Sequence, residues 1–354
     1  MTFLRHTVSF SLGYNTYACK IATVSIMVNT IEQAMQPISK FRTCIKKLSF
    51  VDDTLELLGT PTEYHRMRNS IKWIYIIWFI IICTTWFIDS LFHIEKFNDI
   101  RAIFIPIIKD YPIHANTLMD IMYMFLLRYL GTRLDKINNH IEELSETEEH
   151  GLRGTWKKSL IVIRPYMHGA GNRKRVLWIT MHLHSELCRI VSDIHSLFEI
   201  HMTLQMVSYF VILITMFYFQ YHTMLCLKQM YGGNFFRLKL ILSSDVWFAV
   251  SLTKVISFNH ICESVSAKAK KTKDIIHKLT NLIYFTEARE EIFQFVLQIS
   301  LRPLKFSALG LFYFDYKFIH KFFVTILTAV VFMLQMDTSP IYKIMLSNNM
   351  TCYD

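Results

Sequence analysis

The sequence of 354 residues is poor in the residues that interrupt helices, with only 10 glycines and 7 prolines. This scarcity excludes long flexible linkers and disordered tracts. Its 7 cysteines show no CxxC or paired spacing, so they indicate neither a disulfide scaffold nor a zinc site. The motifs of serine hydrolases, P-loop nucleotide binding and dinucleotide binding are missing too. We therefore expect no enzyme activity and no cofactor.

Histidine is the one residue type that invites a metal site. His182 and His184 lie close together in the sequence, with His195 and His201 further along. Two residues apart on a helix, the first pair falls on different faces, and no carboxylate completes a HExxH pattern. A solvated cytoplasmic face is the simpler interpretation, and we predict no metal.

Hydrophobic residues dominate what is present. They make up 52% of the chain, aromatic residues make up 14%, and the mean hydropathy is +0.28. The formal charge of +10 is typical of cytoplasmic loops in a membrane protein. No basic run alternates with aromatic residues as in single-strand nucleic-acid binders, so we predict no nucleic-acid partner. The composition indicates an all-α, polytopic protein embedded in membrane lipid.

Six stretches are apolar enough for transmembrane helices. The first is the weakest, since Lys20 and Glu32 lie near its ends, and an amphipathic surface helix is the alternative. The predicted spans are 17–36, 73–88, 115–131, 203–221, 241–262 and 319–336.

The distribution of Lys and Arg orients these spans. The loops at 40–72, 132–202 and 263–321 hold 7, 10 and 10 basic residues, whereas the four segments that alternate with them hold 1, 3, 3 and 1. Basic loops face the cytoplasm. The C-terminus is therefore predicted to be extracellular, where Asn349 of an Asn-Met-Thr sequon would face the glycosylating side.

Two apolar seams predict that helices continue beyond the bilayer. Both repeat at spacings of three, four and seven residues, which is typical of packed helices in water. The first seam comprises Leu130, Leu134, Ile137, Ile141 and Leu144, and the second Val265, Thr272, Ile276, Leu279 and Ile283.

The last span carries a pattern of Thr328-Ala329, five apolar residues and Gln335-Met336. This resembles the insect gustatory receptor family, whose seventh helix ends in Thr-Tyr, five apolar residues and Gln-Phe. Ala329 and Met336 depart from that pattern. The segment FSALGLFYFD at 306–315 is similar to the family's approach to that helix. Together with the order of helices, the resemblance covers roughly residues 20–340.

The resemblance implies a ligand-gated, non-selective cation channel of the plasma membrane, opened by a small tastant and built from four subunits, identical or different. It implies seven helices, so six spans with an outer C-terminus suggest that the first helix is missing. The implied domains are a ligand-binding part at 1–262, a cytoplasmic anchor and lead-in at 263–321, and a pore helix with an extracellular tail at 322–354. The region around Asp120 resembles the fructose-receptor branch.

Charged and aromatic residues at the outer ends of the spans predict a ligand site. Charge inside a span is costly in lipid, and a carboxylate beside an indole suits a sugar. The alternative for all three carboxylates is snorkelling toward the headgroups. For Asp120 and Asp245 a ligand pocket or pairing between helices is the favoured interpretation. The candidate ligand-binding residues are Trp86, Asp89, His114, Asn116, Asp120, Asp245 and Trp247.

The last helix is the candidate pore. Thr328, Phe332 and Gln335 share one helical face. Phe332 or Met336 would form an apolar constriction, and Asp337 would form a ring of carboxylates at the mouth. The alternative for Gln335 is an amide satisfied between packed helices.

Three other protein classes stay open at this point. A G-protein-coupled receptor needs the opposite orientation, and no DRY or NPxxY pattern is present. A transporter would show internal repeats or broken helices. A subunit without channel activity, or a truncated one, is the third alternative.

Overall fold

The computed structural model describes residues 38–59, 64–152, 170–226, 234–279 and 289–338. A short 3₁₀ turn at Ile100–Ile103 joins the second helix to the third. The predicted span at 17–36 and the sequon at Asn349 lie outside the described residues. Within them the α-helices are α1 (Ile38–Leu57), α2 (Tyr64–Phe97), α3 (Phe104–Leu152), α4 (Ala170–Cys226), α5 (Asn234–Leu279), α6 (Arg289–Leu301) and α7 (Tyr316–Thr338).

Three of these helices have stretches long and apolar enough to cross a membrane. They are Arg68–Leu91 in α2, Lys174–Tyr221 in α4 and Tyr316–Met336 in α7. The predicted spans at 115–131 and 241–262 are also helical, within α3 and α5, but they are more polar. The all-α architecture of a multi-pass membrane protein is confirmed.

The three longest helices extend far beyond a bilayer. α3, α4 and α5 have 49, 57 and 46 residues. At about 1.5 Å per residue they are roughly 70–85 Å long, against about 30 Å of hydrocarbon. Members of both seams lie where α3 and α5 pack together, and the side chains of Leu144, Leu279 and Ile283 lie outside the described part of the chain. The buried members of the seams are Leu130, Leu134, Ile137, Ile141, Val265, Thr272 and Ile276.

A small polar network fixes the register of α3 against α5. The Asn138 side chain donates to the carbonyl of Lys268 at 3.0 Å and accepts from the Thr272 hydroxyl at 2.6 Å. Nearby, a Cβ on Gly131 would lie only 3.1 Å from Val265 Cγ2, so glycine allows the two helices to approach closely. Because buried polar groups need partners, this network disfavours a shifted pairing of the helices.

A buried ion pair holds α1 against α3. Arg133 Nε lies 2.7 Å from Asp52 Oδ1, and both side chains are almost fully buried. The Tyr129 hydroxyl donates to the other Asp52 oxygen and accepts from Arg133 at 2.6 Å. The Tyr129 hydroxyl thus bridges the two charged side chains and adds hydrogen bonds to the buried pair.

A two-stranded hairpin separates α6 from α7 and is the one exception to the helical architecture among the described residues. Ser307–Ala308 pairs antiparallel with Phe312–Tyr313. Leu309, Gly310 and Leu311 connect the strands. The first two have φ of 50° and 75°, and the Leu311 N–H donates to the Ala308 carbonyl at 2.8 Å, which closes the turn.

Neither predicted domain boundary coincides with the end of a helix. α5 passes through residues 262 and 263 without interruption, and α7 begins at Tyr316, six residues before 322. The early start has a local cause, because the Asp315 carboxylate accepts from the backbone N–H of Phe318 at 2.6 Å and caps the helix.

Candidate ligand site, ion cluster and last helix

Three tryptophans from α2 and α5 surround His114 of α3. The ring centroid of His114 lies 5.3 Å from Trp86, 5.6 Å from Trp78 and 5.7 Å from Trp247. We call these four residues the tryptophan cluster. Trp78 and Trp86 meet the same histidine because eight residues make slightly more than two helical turns. Three helices that are distant in the sequence thus converge on one imidazole.

The tryptophan cluster holds polar atoms without hydrogen-bond partners among the described residues. His114 is 5% exposed, and neither of its ring nitrogens has such a partner. The indole nitrogens of Trp78 and Trp86 are also buried and unpartnered. A buried unsatisfied polar group costs about 1–3 kcal/mol. A cluster of them is therefore a candidate for binding a molecule that supplies the missing partner.

A cluster of charged and polar side chains lies directly beside the tryptophans. Asp120 of α3 is buried, and His201 Nε2 lies 3.0 Å from its Oδ1. Its Oδ2 accepts from the Tyr209 hydroxyl at 2.8 Å and lies 3.6 Å from Lys254 Nζ. We call Asp120, His201, Tyr209 and Lys254 the ion cluster. It joins α3, α4 and α5 through a buried charge and its partners.

Lys254 connects the ion cluster to the tryptophan cluster. Its ammonium lies 5.5 Å from the ring centroid of Trp78 and 5.6 Å from that of Tyr209. It also donates to the hydroxyl of Thr117, which lies one helical turn after His114. The two clusters therefore share one cation.

Hydrogen bonds connect the hairpin before α7 to α4. His195 Nε2 lies 2.8 Å from the Ser307 carbonyl, and His195 Nδ1 lies 2.9 Å from the Tyr123 hydroxyl. Since a carbonyl only accepts, Nε2 carries the proton and Tyr123 donates to Nδ1. Glu199 accepts from the Ser307 hydroxyl at 2.8 Å and from the Leu309 N–H at 2.9 Å. These bonds fix the segment that leads into α7.

α7 packs with one side and exposes the other. Phe322 and Ile326 are buried, and Phe322 contacts Phe210 of α4 at 5.7 Å between ring centroids. Thr328 and Gln335 lie on the exposed side, where Phe332 is 61% exposed. The Thr328 hydroxyl donates to the Val324 carbonyl at 2.8 Å. The exposed amide of Gln335 is costly against lipid, which indicates a face turned to water or to another protein.

The sequence profile of the 7tm chemosensory receptor family matches residues 7–339. The chain belongs to this family. The match covers all of the described helices, so it includes both clusters and α7. It confirms the predicted relation to insect gustatory and olfactory receptors, and it confirms that the receptor is not an enzyme.

Solved structures show the same fold. The receptor is similar to the insect olfactory receptor OR5 from Machilis hrabei in complex with eugenol, with 13% identity and a TM-score of 0.57 over 94% of this chain and 91% of that one. A second structure of OR5 gives 12% identity and a TM-score of 0.58, covering 93% and 88%. At this identity the likeness shows the fold. No curated protein sequence matches the receptor.

The structure brings three of the predicted ligand-binding residues together, namely Trp86, His114 and Trp247. Asp120 lies in the adjoining ion cluster, where other side chains already occupy both carboxylate oxygens. Asp245 is exposed on a different face of α5 from Trp247, and Gln220 donates to it at 2.6 Å.

The remaining predicted residues lie around these groups. Asn116 is buried on α3, and Asp89 is half-buried near the end of α2, where its carbonyl lies 2.8 Å from His93 Nδ1. On α7, Met336 is exposed, and the side chain of Asp337 lies outside the described part of the chain.

Sequence reasoning missed four residues of the two clusters. Trp78 and Lys254 had usable signals, one a tryptophan two turns from Trp86 and the other a cation inside a predicted span. His201 and Tyr209 had none, because only the packing of α4 against α3 reveals their bonds to Asp120. Within the described ranges no group of three or more His, Cys, Asp or Glu side chains is arranged to hold a metal ion.

Proposed function

We propose that the receptor is a gustatory receptor that works as a ligand-gated, non-selective cation channel. Four subunits, identical or different, surround one pore lined by α7, and a small tastant opens it. The observation that carries this proposal is the exposed face of α7 with Thr328, Phe332 and Gln335. Permeant cations, a tastant and membrane lipid are then the receptor's partners, and the plasma membrane is its location.

The two sides of α7 suit a pore-lining helix. The buried side, with Phe322 and Ile326, packs on the receptor's own helices. The exposed side would leave Gln335 in hydrocarbon if it faced lipid, which is costly. In a pore, Gln335 meets water, while Phe332 or Met336 forms the apolar constriction that dewets when closed. Asp337, the next residue, would add a ring of carboxylates at the mouth.

α6 supports an assembly of several subunits. Its buried side carries Ile292 and Phe295, yet Phe293 and Leu301 are 64% and 72% exposed and Leu297 is exposed between them. These three residues recur every four positions and form a second apolar stripe on the same helix. A stripe of this kind at the end of the long helices fits contact with neighbouring subunits.

The tryptophan cluster is the proposed ligand site. OR5 has been solved in complex with eugenol, a small molecule. We extend small-molecule binding to this receptor because the cluster combines aromatic surface with buried unpartnered nitrogens. A sugar is the ligand class that the sequence predicts, with Asp120, Asp245, Asp89 and Asn116 as further contacts.

The proposed orientation places the C-terminus outside the cell, on the basis of the basic loops. An epitope tag after Asp354 should then be stained on intact cells expressing the receptor. A tag between residues 152 and 170, in a loop proposed to be cytoplasmic, should need permeabilisation and is the matched control. The reverse staining pattern would overturn the orientation.

Assembly and gating test the function directly. We expect the purified receptor to have the mass of four subunits in detergent, and ligand-evoked cation currents to persist in excised patches without GTP. Leu297→Glu places one charge per subunit, four in all, in the proposed contact of α6 with neighbouring subunits. It should therefore reduce the assembly to smaller species. Leu57→Glu, at an exposed apolar position of α1, is the control and should leave a tetramer. A monomer whose responses require GTP would instead indicate a G-protein-coupled receptor.

A further inference from the structure

We infer that the ligand of the tryptophan cluster is an uncharged compound with an apolar ring and a hydrogen-bond acceptor, such as a carbonyl or ether oxygen. The inference rests on the proposed function, because that function places the ligand at this cluster. It narrows the ligand to a chemical class that differs from the sugar predicted from the sequence.

The unpartnered atoms of the cluster are mostly donors. An indole nitrogen only donates, and a neutral imidazole offers one donor and one acceptor. The four unpartnered nitrogens of Trp78, Trp86 and His114 therefore present three donors and one acceptor. A ligand oxygen that accepts hydrogen bonds can pair with up to two of these donors, whereas a ligand that mainly donates leaves the indoles unpaired.

The carboxylates that a sugar would need are occupied or lie elsewhere. Sugar hydroxyls donate as well as accept, so they require acceptors in the site. Asp120 accepts from Tyr209 and His201 and pairs with Lys254. Asp245 is exposed and bonded to Gln220. Both carboxylates therefore already have partners within the protein.

A cationic ligand is excluded by charge. Aromatic cages bind ammonium groups when their ring faces are vacant. Here Lys254 already lies 5.5 Å from the ring centroid of Trp78, and it pairs with Asp120 at 3.6 Å. A second cation among the indoles would meet this charge in a buried environment, where repulsion is strong.

The aromatic rings define the apolar body of the ligand. The ring centroid of His114 lies 5.3 to 5.7 Å from the centroids of its three tryptophan neighbours. A planar group of the ligand can therefore take the place of one ring in this packing. Trp78 is buried, but Trp86 and Trp247 are only half-buried. These two indole side chains move when the ligand enters, and a change of side-chain rotamer is sufficient to admit it.

Matched pairs of probes test the ligand class by calorimetry on the purified full-length receptor. Acetophenone and α-methylstyrene have the same shape, but only the first has an acceptor oxygen. Benzophenone and 1,1-diphenylethylene form a larger pair. D-Fructose represents the sugars and 1-phenylethylamine the cations. In at least one pair the ketone should bind about tenfold more tightly than its hydrocarbon, because one hydrogen bond is worth about that much.

Two variants locate the binding. Trp86→Phe keeps an aromatic ring but removes the N–H, so it should weaken binding of the ketone by up to about tenfold and leave the hydrocarbon unchanged. Trp178→Phe makes the same change at an exposed tryptophan of α4 outside the cluster and should have no effect. A melting curve for each variant confirms that it is folded.

The outcomes separate this inference from the proposed function. Equal binding within both pairs, binding of D-fructose or the amine in place of the ketones, or no binding of any probe overturns the ligand class. If D-fructose alone evokes currents, the proposed channel function stands and the inferred ligand class is wrong. If Trp86→Phe weakens ketone binding but no condition gives a current, the inferred ligand class stands and the proposed channel function is wrong.

Discussion

Asp120→Ala is expected to unfold the receptor or to remove it from the cell surface. The substitution deletes the one acceptor shared by His201, Tyr209 and Lys254 and leaves a buried ammonium unpaired. Removing one partner of a buried ion pair costs about 3–5 kcal/mol, which is a large share of the stability of a typical domain. The measurement is the melting temperature of the detergent-solubilised receptor, followed by size-exclusion chromatography, together with surface labelling.

Two further variants distinguish the loss of the ion cluster from the general effect of removing a carboxylate on the melting temperature. Asp245→Ala removes an exposed aspartate with one bond from Gln220 and should leave the melting temperature almost unchanged. Asp120→Leu combined with Lys254→Met removes both charges and should recover much of the lost stability. If Asp120→Ala melts like the wild type, the ion cluster is not a stabilising element.

Gln335→Ala is expected to change ion permeation while surface expression stays normal. Four amides at the narrow part of a pore act as partners for partly dehydrated ions, so their loss should shift the relative permeability of monovalent and divalent cations. Asp337→Asn should lower single-channel conductance, most of all for divalent ions and at low ionic strength, where screening is weak. Reversal potentials and single-channel currents measure both effects.

Leu327→Ala is the control for the pore variants. Leu327 is exposed on α7 but points about 100° away from Thr328, so its truncation should leave permeation unchanged. Wild-type permeation in Gln335→Ala, combined with reduced surface protein, would show that Gln335 packs against a neighbouring helix. In that case α7 does not line the pore, and the proposed function loses the observation that carries it.

The long helical architecture is determined locally by the sequence. A seam such as Leu130, Leu134 and Ile137 is buried because its spacing of three and four places it on one face of any α-helix. The pattern from Thr328 to Gln335, with the segment before it, was sufficient to predict the family. Membrane spans, seams and the family pattern are properties of neighbouring residues, so no knowledge of the packing is needed to find them.

The partners of the charged and aromatic residues were decided by tertiary structure. Asp120 and Lys254 are separated by 134 positions in the sequence, and their contact depends on how α3 and α5 cross. The sequence predicted a carboxylate facing a ligand, whereas packing gave that carboxylate three partners. It left nitrogens of Trp78, Trp86 and His114 without a hydrogen-bond partner in the described part of the chain. Helix periodicity fixes which face a side chain occupies, but the rotation and depth of the neighbouring helices determine which groups meet across the interface.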